Sequence, residues 1–253
     1  MKHSLNGYVI CTLPRSGSTL LCQLLQSVPG AGQPGSHFHR TDVAAWAATH
    51  GLPPLPMPAS PADLRRILAA GRQTGCDGDS LFGLRLQSHS RAYLLERLAE
   101  AQPGLPCDRT RLEATFGHLC FIYLTRRDHL AQAISYVRAA QTGLWHRAAD
   151  GREMERSAPP APSRYDRAAI TDRLQTIATD EQQWQVWFAR QGIEPLRVFY
   201  EDLAADPART LDRILRHLGL AGMSPTLRIP TARLADGTSL AWARRYRSDA
   251  SGD

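Results

Sequence analysis

Four short apolar runs divide the chain, and a segment with the apolar spacing of a helix follows each of them. The runs occupy residues 8–12, 81–86, 120–125 and 196–200, and the helical segments occupy residues 18–28, 90–101, 128–141 and 207–218. Uninterrupted apolar runs of this length are typical of strands that are buried on both faces. Strands that alternate with helices predict a three-layer α/β fold, with a mostly parallel central sheet flanked by helices.

The remaining segments fit one domain that spans residues 1–253. Helical spacing predicts further helices at 42–49 and 171–191. The proline-rich segment 52–61 is expected to be irregular, because proline lacks a backbone donor and fixes its own φ angle. The polar segment 148–164 predicts an exposed excursion or lid, and the polar tail 236–253 is expected to fray.

The length and composition allow one large core. The chain has 253 residues, 43% of them hydrophobic, a size that single α/β domains reach. No apolar run is long enough for a membrane span and the N-terminus lacks the pattern of a signal peptide, so we expect a cytoplasmic protein. The five cysteines lack zinc-type spacing, and their odd number argues against a disulfide framework.

The positive charge consists almost wholly of arginine. The formal net charge is +6, and Lys2 is the only lysine. A guanidinium group suits the oxyanions of phosphate and sulfate, because it is planar and donates two parallel hydrogen bonds. The chain has neither a long basic run nor basic residues interleaved with aromatic ones, which argues against a nucleic-acid partner.

The first apolar run breaks at a turn-forming segment rich in hydroxyl groups. This segment joins the first strand to the first helix and consists of Pro14, Arg15, Ser16, Gly17, Ser18 and Thr19. At the carboxyl end of a parallel strand, the N–H groups of such a loop and of the helix start bind anions, and Gly17 permits close approach. The alternative is an ordinary connection in which Ser18 or Thr19 caps the helix.

The loop departs from two known phosphate-binding patterns. Ser18 follows Gly17 where a Walker A sequence requires lysine. Gly17 also stands six residues after Cys11, where a C-x5-R phosphatase loop has its arginine. The loop therefore predicts a phosphate-like ligand without favouring ATP or GTP.

A second group of polar residues follows the third strand. Arg126 and Arg127 lie at its end, and Asp128 is placed to cap the next helix. Ser135 comes eight residues after Arg127, which is roughly two helical turns. An arginine and a hydroxyl at this spacing can grip one anionic group from two sides. The alternative is that Ser135 occupies a solvated helix face.

Together the two motifs resemble those of sulfotransferases that use 3′-phosphoadenylyl sulfate (PAPS) as donor. Softer similarities, which make the chain similar to the bacterial Stf0 family, lie at residues 31–47, 82–87, 141–146 and 198–207. The resemblance implies a P-loop-like fold, a carbohydrate or glycolipid acceptor with trehalose as one candidate, PAP as the product, no metal, and a homodimer.

The resemblance also implies roles for individual residues. Residues 14–19 would hold the 5′-phosphosulfate, and Arg15 with the loop N–H groups would stabilise charge on the leaving oxygen. Arg127 and Ser135 would hold the 3′-phosphate, because the superfamily places these residue types eight positions apart. Arg126 is the second candidate for the arginine.

One departure from the family concerns the general base. Family members carry an acidic residue in a pattern like G-x-P-x-E-x-F, and Ser36 stands at that position here. A serine is no base by itself, whereas a neutral imidazole suits the task near pH 7. His37 is therefore the first candidate and His39 the second. The alternative is a base elsewhere, for example His89 or His146.

The same segment is expected to line the acceptor cleft. Its contributors are Gln33, Pro34, Ser36, His37 and, from the next helix, Trp46. Amides, imidazoles and an aromatic face suit a sugar. The alternative for Trp46 is an ordinary core position. The presence of Ser36 instead of the acidic residue argues against assigning trehalose as the acceptor from the resemblance alone.

Two other functions remain open. The first is a P-loop kinase or nucleotidase, which predicts magnesium-dependent ATP binding. The second is a non-catalytic PAP-binding protein. The feature that favours it is Ser36, which stands where family members carry an acidic residue.

Overall fold

A parallel sheet forms the centre of the molecule. The computed structural model describes residues 5–76, 78, 80–147, 152–223 and 237–251. Its strands are β1 (Gly7–Thr12), β2 (Phe82–Gln87), β3 (Leu119–Thr125), β4 (Leu144–Arg147), β5 (Glu153–Arg156) and β6 (Leu196–Phe199). Four of them form one sheet in the order β2-β1-β3-β6, and every pair in it is parallel. The predicted α/β fold with a parallel central sheet is confirmed.

Helices cover both faces of this sheet. They are α1 (Ser18–Gln26), α2 (Val43–Thr49), α3 (Pro61–Gly75), α4 (Ser88–Ala101), α5 (Asp108–Phe116), α6 (His129–Thr142), α7 (Arg167–Gln191), α8 (Tyr200–Ala205), α9 (Pro207–His217) and α10 (Gly237–Ser251). The pleat of β1 sends successive side chains to opposite faces. Tyr8 and Ile10 therefore pack with α1 and α9, while Val9 and Cys11 pack with α2 to α7.

The register brings the carboxyl ends of the central strands to one edge. Thr12 at the end of β1 is opposite both Gln87 of β2 and Leu124 of β3. In open parallel sheets, ligands bind outside this edge, where loops leave the strands for helices on either face. The segments that the sequence singled out after β1 and β3 therefore meet at one place.

Short polar signals define where several helices begin. Asp128 accepts a hydrogen bond from the Ala131 N–H, as predicted for the start of α6. Ser60 and Asp63 form a capping box at the start of α3, and Pro61 occupies the first helical position. The preceding proline-rich residues 52–60 contain no regular helix or strand, as expected.

Two segments expected to be irregular contain regular structure. In the tail, 237–251 form α10, where Trp242 is buried against Tyr165, with the two ring centroids 5.8 Å apart. The Tyr246 hydroxyl lies 2.9 Å from that of Thr171 on α7. The expectation of fraying was wrong here, because a few aromatic anchors hold an otherwise polar helix. In the excursion, β5 pairs antiparallel with β4, and residues 148–151 lie outside the described residues.

Trp46 belongs to the core, so its placement in the acceptor cleft is corrected. Its side chain is 2% exposed, and its ring packs edge-on against Phe38 and Tyr93 at centroid distances of 5.1 and 5.3 Å. Its indole N–H donates to the Arg40 carbonyl, which satisfies the one polar atom of the ring. The physical reason is that α2 turns its apolar face, including Trp46, toward α3 and α4.

We expect Trp46→Ala to lower the free energy of unfolding by about 3–5 kcal/mol, because the indole leaves a large cavity in the core. Urea denaturation followed by circular dichroism would measure the loss. The control is Met57→Ala, whose side chain is 64% exposed and should change stability by less than about 0.5 kcal/mol. Equal stability of the two variants would contradict the core placement.

Candidate active site

A cavity of about 1140 Å³ opens at the carboxyl edge of the sheet. The loop after β1, the residues after β2 and the start of α6 form its base. The β4–β5 hairpin, α7, α8 and α10 contribute its walls. The two motifs of the sequence therefore line one cavity, as their positions at the ends of β1 and β3 predict.

The loop after β1 has an unusual backbone. Arg15 adopts a φ of +65° and Gly17 a φ of +83°, so two left-handed residues lie close together. Such a conformation turns successive N–H groups toward one point and costs energy at Arg15, since non-glycine residues disfavour it. At Gly17 a Cβ atom would lie 2.4 Å from the Tyr200 ring, so the close packing of α8 also requires glycine.

The N-terminus of α1 lacks a side-chain cap. Gly17 is the N-cap residue, and no side chain accepts a hydrogen bond from the first turn. The alternative in which Ser18 or Thr19 caps the helix is therefore not observed. Ser18, Thr19 and Gly17 instead line the cavity together with Pro14. Uncapped N–H groups at a helix start attract anions.

Buried side chains hold this loop in place. Ser16 is fully buried and its hydroxyl donates to the Leu13 carbonyl at 2.7 Å, so this hydroxyl faces the protein rather than the cavity. The Thr12 hydroxyl donates to Leu124 of β3 at 2.9 Å. Gln132 of α6 donates to the Pro14 carbonyl at 2.8 Å. The predicted role of Ser16 as a hydroxyl donor to the anion is corrected, and only its backbone remains for that role.

Arg15 connects the loop to the second motif. Its Nε donates to the Ser135 hydroxyl at 3.0 Å, and its guanidinium also donates to the Trp145 carbonyl. Burial, together with the positive charge of Arg126, lowers the pKa of Arg15 to about 10. Two guanidinium groups thus share a confined space, and an anion between them would relieve their repulsion.

Arg126 is the arginine of the second motif that reaches the cavity. It lies over the Tyr200 ring, with Cζ 4.6 Å from the centroid, and its Nη1 donates to the Arg15 carbonyl at 3.4 Å. Its buried Nε has no hydrogen-bond partner among the described residues, although a Glu201 oxygen lies 3.6 Å away. A buried donor without a partner is the type of group that a bound ligand satisfies.

Arg127 points away from the cavity, which corrects its predicted contact with the 3′-phosphate. Its two terminal nitrogens donate to the two carboxylate oxygens of Asp202 at 2.7 and 2.8 Å. Glu201 accepts from the N–H groups of Arg127 and Asp128 at 3.0 and 3.2 Å. Acidic residues at the start of α8 therefore fix Arg127 outside, and the serine lies nine residues after the arginine that reaches the cavity.

Arg85 is a cavity residue that the sequence motifs missed. Its Nη1 donates to the Thr19 hydroxyl at 2.9 Å, and its Nε donates to the Ser36 hydroxyl at 2.8 Å. It therefore joins the loop after β1 to the segment after α1. A single charged residue inside the apolar strand β2 was the signal that could have identified it.

His37 does not line the cavity, so its expected role as the base is corrected. Its Nε2 lies 3.0 Å from the Gln33 carbonyl and 3.1 Å from the Gly83 carbonyl, which requires Nε2 to carry the proton. Burial lowers the pKa of His37, so the imidazole is neutral at pH 7. The ring holds the 33–37 segment against β2. Gln33 and Pro34 lie behind this contact and are also absent from the cavity wall, whereas Ser36 forms part of it.

Three other histidines do line the cavity. His39 Nδ1 lies 3.3 Å from His89 Nε2. His146 Nε2 lies 3.2 Å from the Thr19 hydroxyl and 3.4 Å from a carboxylate oxygen of Glu155. Burial, followed by the charges of Arg15 and Arg85, lowers the pKa of His146 to about 4. This imidazole is therefore neutral near pH 7.

The fold and the site define an α/β protein with a cavity at the carboxyl edge of a parallel sheet, lined by a loop with two left-handed residues and by an uncapped helix start. The family model of the Stf0 sulphotransferases matches residues 7–249, so the chain belongs to the Stf0 sulphotransferase family. This finding confirms the resemblance that the sequence motifs indicated.

Individual relatives are similar over nearly the whole chain. A trehalose 2-sulfotransferase of Mycobacterium tuberculosis (strain ATCC 35801 / TMC 107 / Erdman) is 29% identical, covering 99% of this chain and 97% of its own. A trehalose 2-sulfotransferase of Mycolicibacterium smegmatis is 26% identical, covering 98% and 96%. A solved sulfotransferase domain from the Synechococcus PCC 7002 olefin synthase is 19% identical with a TM-score of 0.43, covering 97% of this chain and 89% of that one.

Within the described residues, no helix has both the length and the apolar character that a membrane crossing requires.

We expect Gly17→Ala to destabilise the protein more than Gly192→Ala, although both glycines have a positive φ. Alanine at a positive φ costs about 1–2 kcal/mol at either position. At Gly192 no atom lies within 4 Å of the added Cβ, whereas at Gly17 the Tyr200 ring does. The clash should add about 1–3 kcal/mol, measurable by urea denaturation.

The Tyr200→Ala background provides the control for this comparison, because it removes the ring. Gly17→Ala should cost no more than Gly192→Ala in that background. An unchanged difference between the two substitutions would show that contact with Tyr200 is not its cause.

Proposed function

We propose that the protein transfers a sulfuryl group from PAPS to a hydroxyl group of a sugar acceptor. The observation that carries the proposal is the hydrogen bond from Arg15 Nε to Ser135 Oγ at 3.0 Å. It joins the loop after β1 to the helix after β3, which supports two anion sites within reach of one nucleotide. Membership of the Stf0 sulphotransferase family supports the same reaction.

The residues present fit a ligand with two anionic groups. The uncapped start of α1 offers N–H groups to one of them, and Arg15 adds a charged donor. Arg126 and Ser135 would hold the second group, and the buried Nε of Arg126 lacks any other hydrogen-bond partner among the described residues. PAPS would supply the sulfuryl group, and arginines would stabilise the charge that remains on the leaving phosphate.

The volume of the cavity supports two substrates. Pockets for one drug-sized ligand measure about 300–1000 Å³, and this cavity measures about 1140 Å³. The wall formed by the loop after β1, α8 and the start of α9 adjoins the anion sites. The acceptor would bind against the other wall, which is formed by the end of β2, the β4–β5 hairpin, α7 and α10.

His146 is our candidate for the base that accepts the proton of the acceptor hydroxyl. Arg85 donates to the Thr19 hydroxyl, so the proton of that hydroxyl is free to point at His146 Nε2. The lone pair of Nε2 then faces the loop after β1, and an acceptor hydroxyl that arrives for in-line attack would replace Thr19 as the donor to it. His39 and His89 line the same cavity without contact to the loop and are the second candidates.

The two relatives named above are trehalose 2-sulfotransferases, which supports a sugar, with trehalose as the first acceptor to test. Ser36 stands where the family resemblance implies an acidic residue. Arg85 donates to its hydroxyl. The homodimer and the cytoplasmic location stay predictions that rest on the family resemblance and on the sequence.

We expect PAP at about one hundred times its dissociation constant to stabilise the protein by about 2.7 kcal/mol without magnesium, and ATP with magnesium to have little effect. Arg126→Gln should weaken PAP binding about 10- to 100-fold, since a charged hydrogen-bonding partner is lost. Arg127→Gln is the matched control, because its side chain is held by Asp202 outside the cavity. Thermal shift and calorimetry would measure both effects.

A stronger loss of PAP affinity in Arg127→Gln than in Arg126→Gln would reverse our assignment of the second motif. Stabilisation by ATP with magnesium, without any by PAP, would favour the kinase or nucleotidase function instead.

We expect His146→Asn to leave PAP affinity unchanged and to lower turnover about 100-fold or more, as the loss of a general base does. His37→Asn is the control and should retain turnover. With a pKa of about 4, His146 is protonated only in acid, so the wild-type rate should stay level from about pH 6 to 8 and fall below about pH 5. Transfer of labelled sulfate from PAPS to trehalose and other sugars would measure these rates.

Normal turnover in His146→Asn would remove it as the base. Intact PAP binding without transfer to any sugar or glycolipid would favour the non-catalytic PAP-binding protein.

A further inference from the structure

The acceptor side of the cavity contains an arginine that neither anion site uses. Arg173 of α7 lies over the Tyr136 ring, with Cζ 3.8 Å from the centroid. Its Nε and Nη2 are buried, and neither has a hydrogen-bond partner among the described residues. Arg173 and Tyr136 both line the cavity, together with Thr176 of α7 and Ser239 and Ala243 of α10.

The neighbouring carboxylates do not pair with this guanidinium. The charges of Asp180 and Asp172 act on Arg173, but neither carboxylate forms an ion pair with it among the described residues. Asp180 accepts the Ser88 hydroxyl at 2.7 Å instead. The aromatic ring of Tyr136 covers one face of the guanidinium, and the buried Nε and Nη2 on its edge have no acceptor among the described residues.

Burying N–H donors of a charged guanidinium without acceptors costs free energy, unless a bound ligand supplies the acceptors. Arginine stays protonated in proteins, so it cannot escape the cost by losing its proton. Its planar fork of N–H donors matches the oxygens of a carboxylate or a phosphate. A neutral sugar would offer hydroxyl oxygens but no opposite charge.

We propose that Arg173 forms a subsite for an anionic group of the acceptor, so that the preferred acceptor is a sugar bearing a carboxylate or a phosphate. This inference rests on the proposed function and narrows its acceptor class. Tyr136 packs against one face of the guanidinium, and residues of α10 line the same cavity. Arg247 of α10 adds a second positive charge to the same wall.

The test uses the full chain saturated with PAP and three probes of the same ring: glucose, glucuronate and glucose 6-phosphate. Calorimetry should show that one of the two anionic probes binds wild-type protein at least about tenfold more tightly than glucose, the gain typical of one charged hydrogen-bonding pair. The carboxylate and phosphate arms distinguish the two sources of negative charge.

Arg173→Gln should abolish this preference while leaving the affinity for glucose and for PAP unchanged. Arg190→Gln is the matched control, because it removes the same charge from an exposed position of the same helix. Arg173→Lys, which keeps the charge but loses the fork, should retain part of the preference.

Three results would overturn the inference. The first is equal binding, or no binding, of charged and neutral probes to the wild-type protein. The second is an unchanged preference in Arg173→Gln. The third is a loss of PAP affinity in Arg173→Gln, which would assign the arginine to the nucleotide. A wild-type protein that fails to bind PAP at all contradicts the proposed function itself and is recognised before any probe is added.

If Arg173 only braced Tyr136, Arg173→Gln would lower the unfolding temperature without changing the ratio of affinities. Thermal unfolding of each variant, with and without PAP, separates this structural effect from recognition.

Discussion

The site depends on two hydrogen bonds that hold the end of β1 and the loop after it against β3 and α6. The Thr12 hydroxyl at the end of β1 donates to Leu124 of β3, and Gln132 of the following helix donates to the Pro14 carbonyl. These two bonds fix the loop after β1 against α6. Without them, a loop with two left-handed residues, one of them Arg15, would relax to a less strained backbone. The strained backbone of the loop persists because these contacts stabilise it in this conformation.

This loop sets the electrostatic character of the whole cavity. Arg126 donates to the carbonyl of Arg15, and the charge of Arg126 helps to lower the pKa of Arg15. Arg85 of β2 donates to the hydroxyl of Thr19 in the loop. Burial, followed by the charges of Arg15 and Arg85, lowers the pKa of His146 to about 4, so one cavity combines guanidinium groups with an unprotonated imidazole. The sulfuryl transfer that we propose would call for both features, and arginines would serve in it, because Lys2, the one lysine of the sequence, precedes the first strand.

Local pattern predicted the architecture well. The apolar runs located all four strands of the central sheet, and Asp128 marked the start of α6. The pattern did not predict the hairpin strands β4 and β5, because each has only four residues and mixes apolar with charged or polar ones. It did not predict helix α10 either, because its packing depends on Trp242 and Tyr246, two aromatic residues whose partners lie on distant parts of the chain.

The sequence alone predicted the strand–loop–helix corner with Gly17 in its loop and a phosphate-like ligand beside it, whereas the structure showed that no side chain caps the helix. Only the tertiary structure decided which of two adjacent arginines lines the cavity and which histidine contacts the loop after β1. Arg127 turns outward because Asp202, some seventy-five residues later, meets it there, and His37 turns inward because two carbonyls accept its proton. Such choices follow from long-range partners, which a local pattern of residues does not contain.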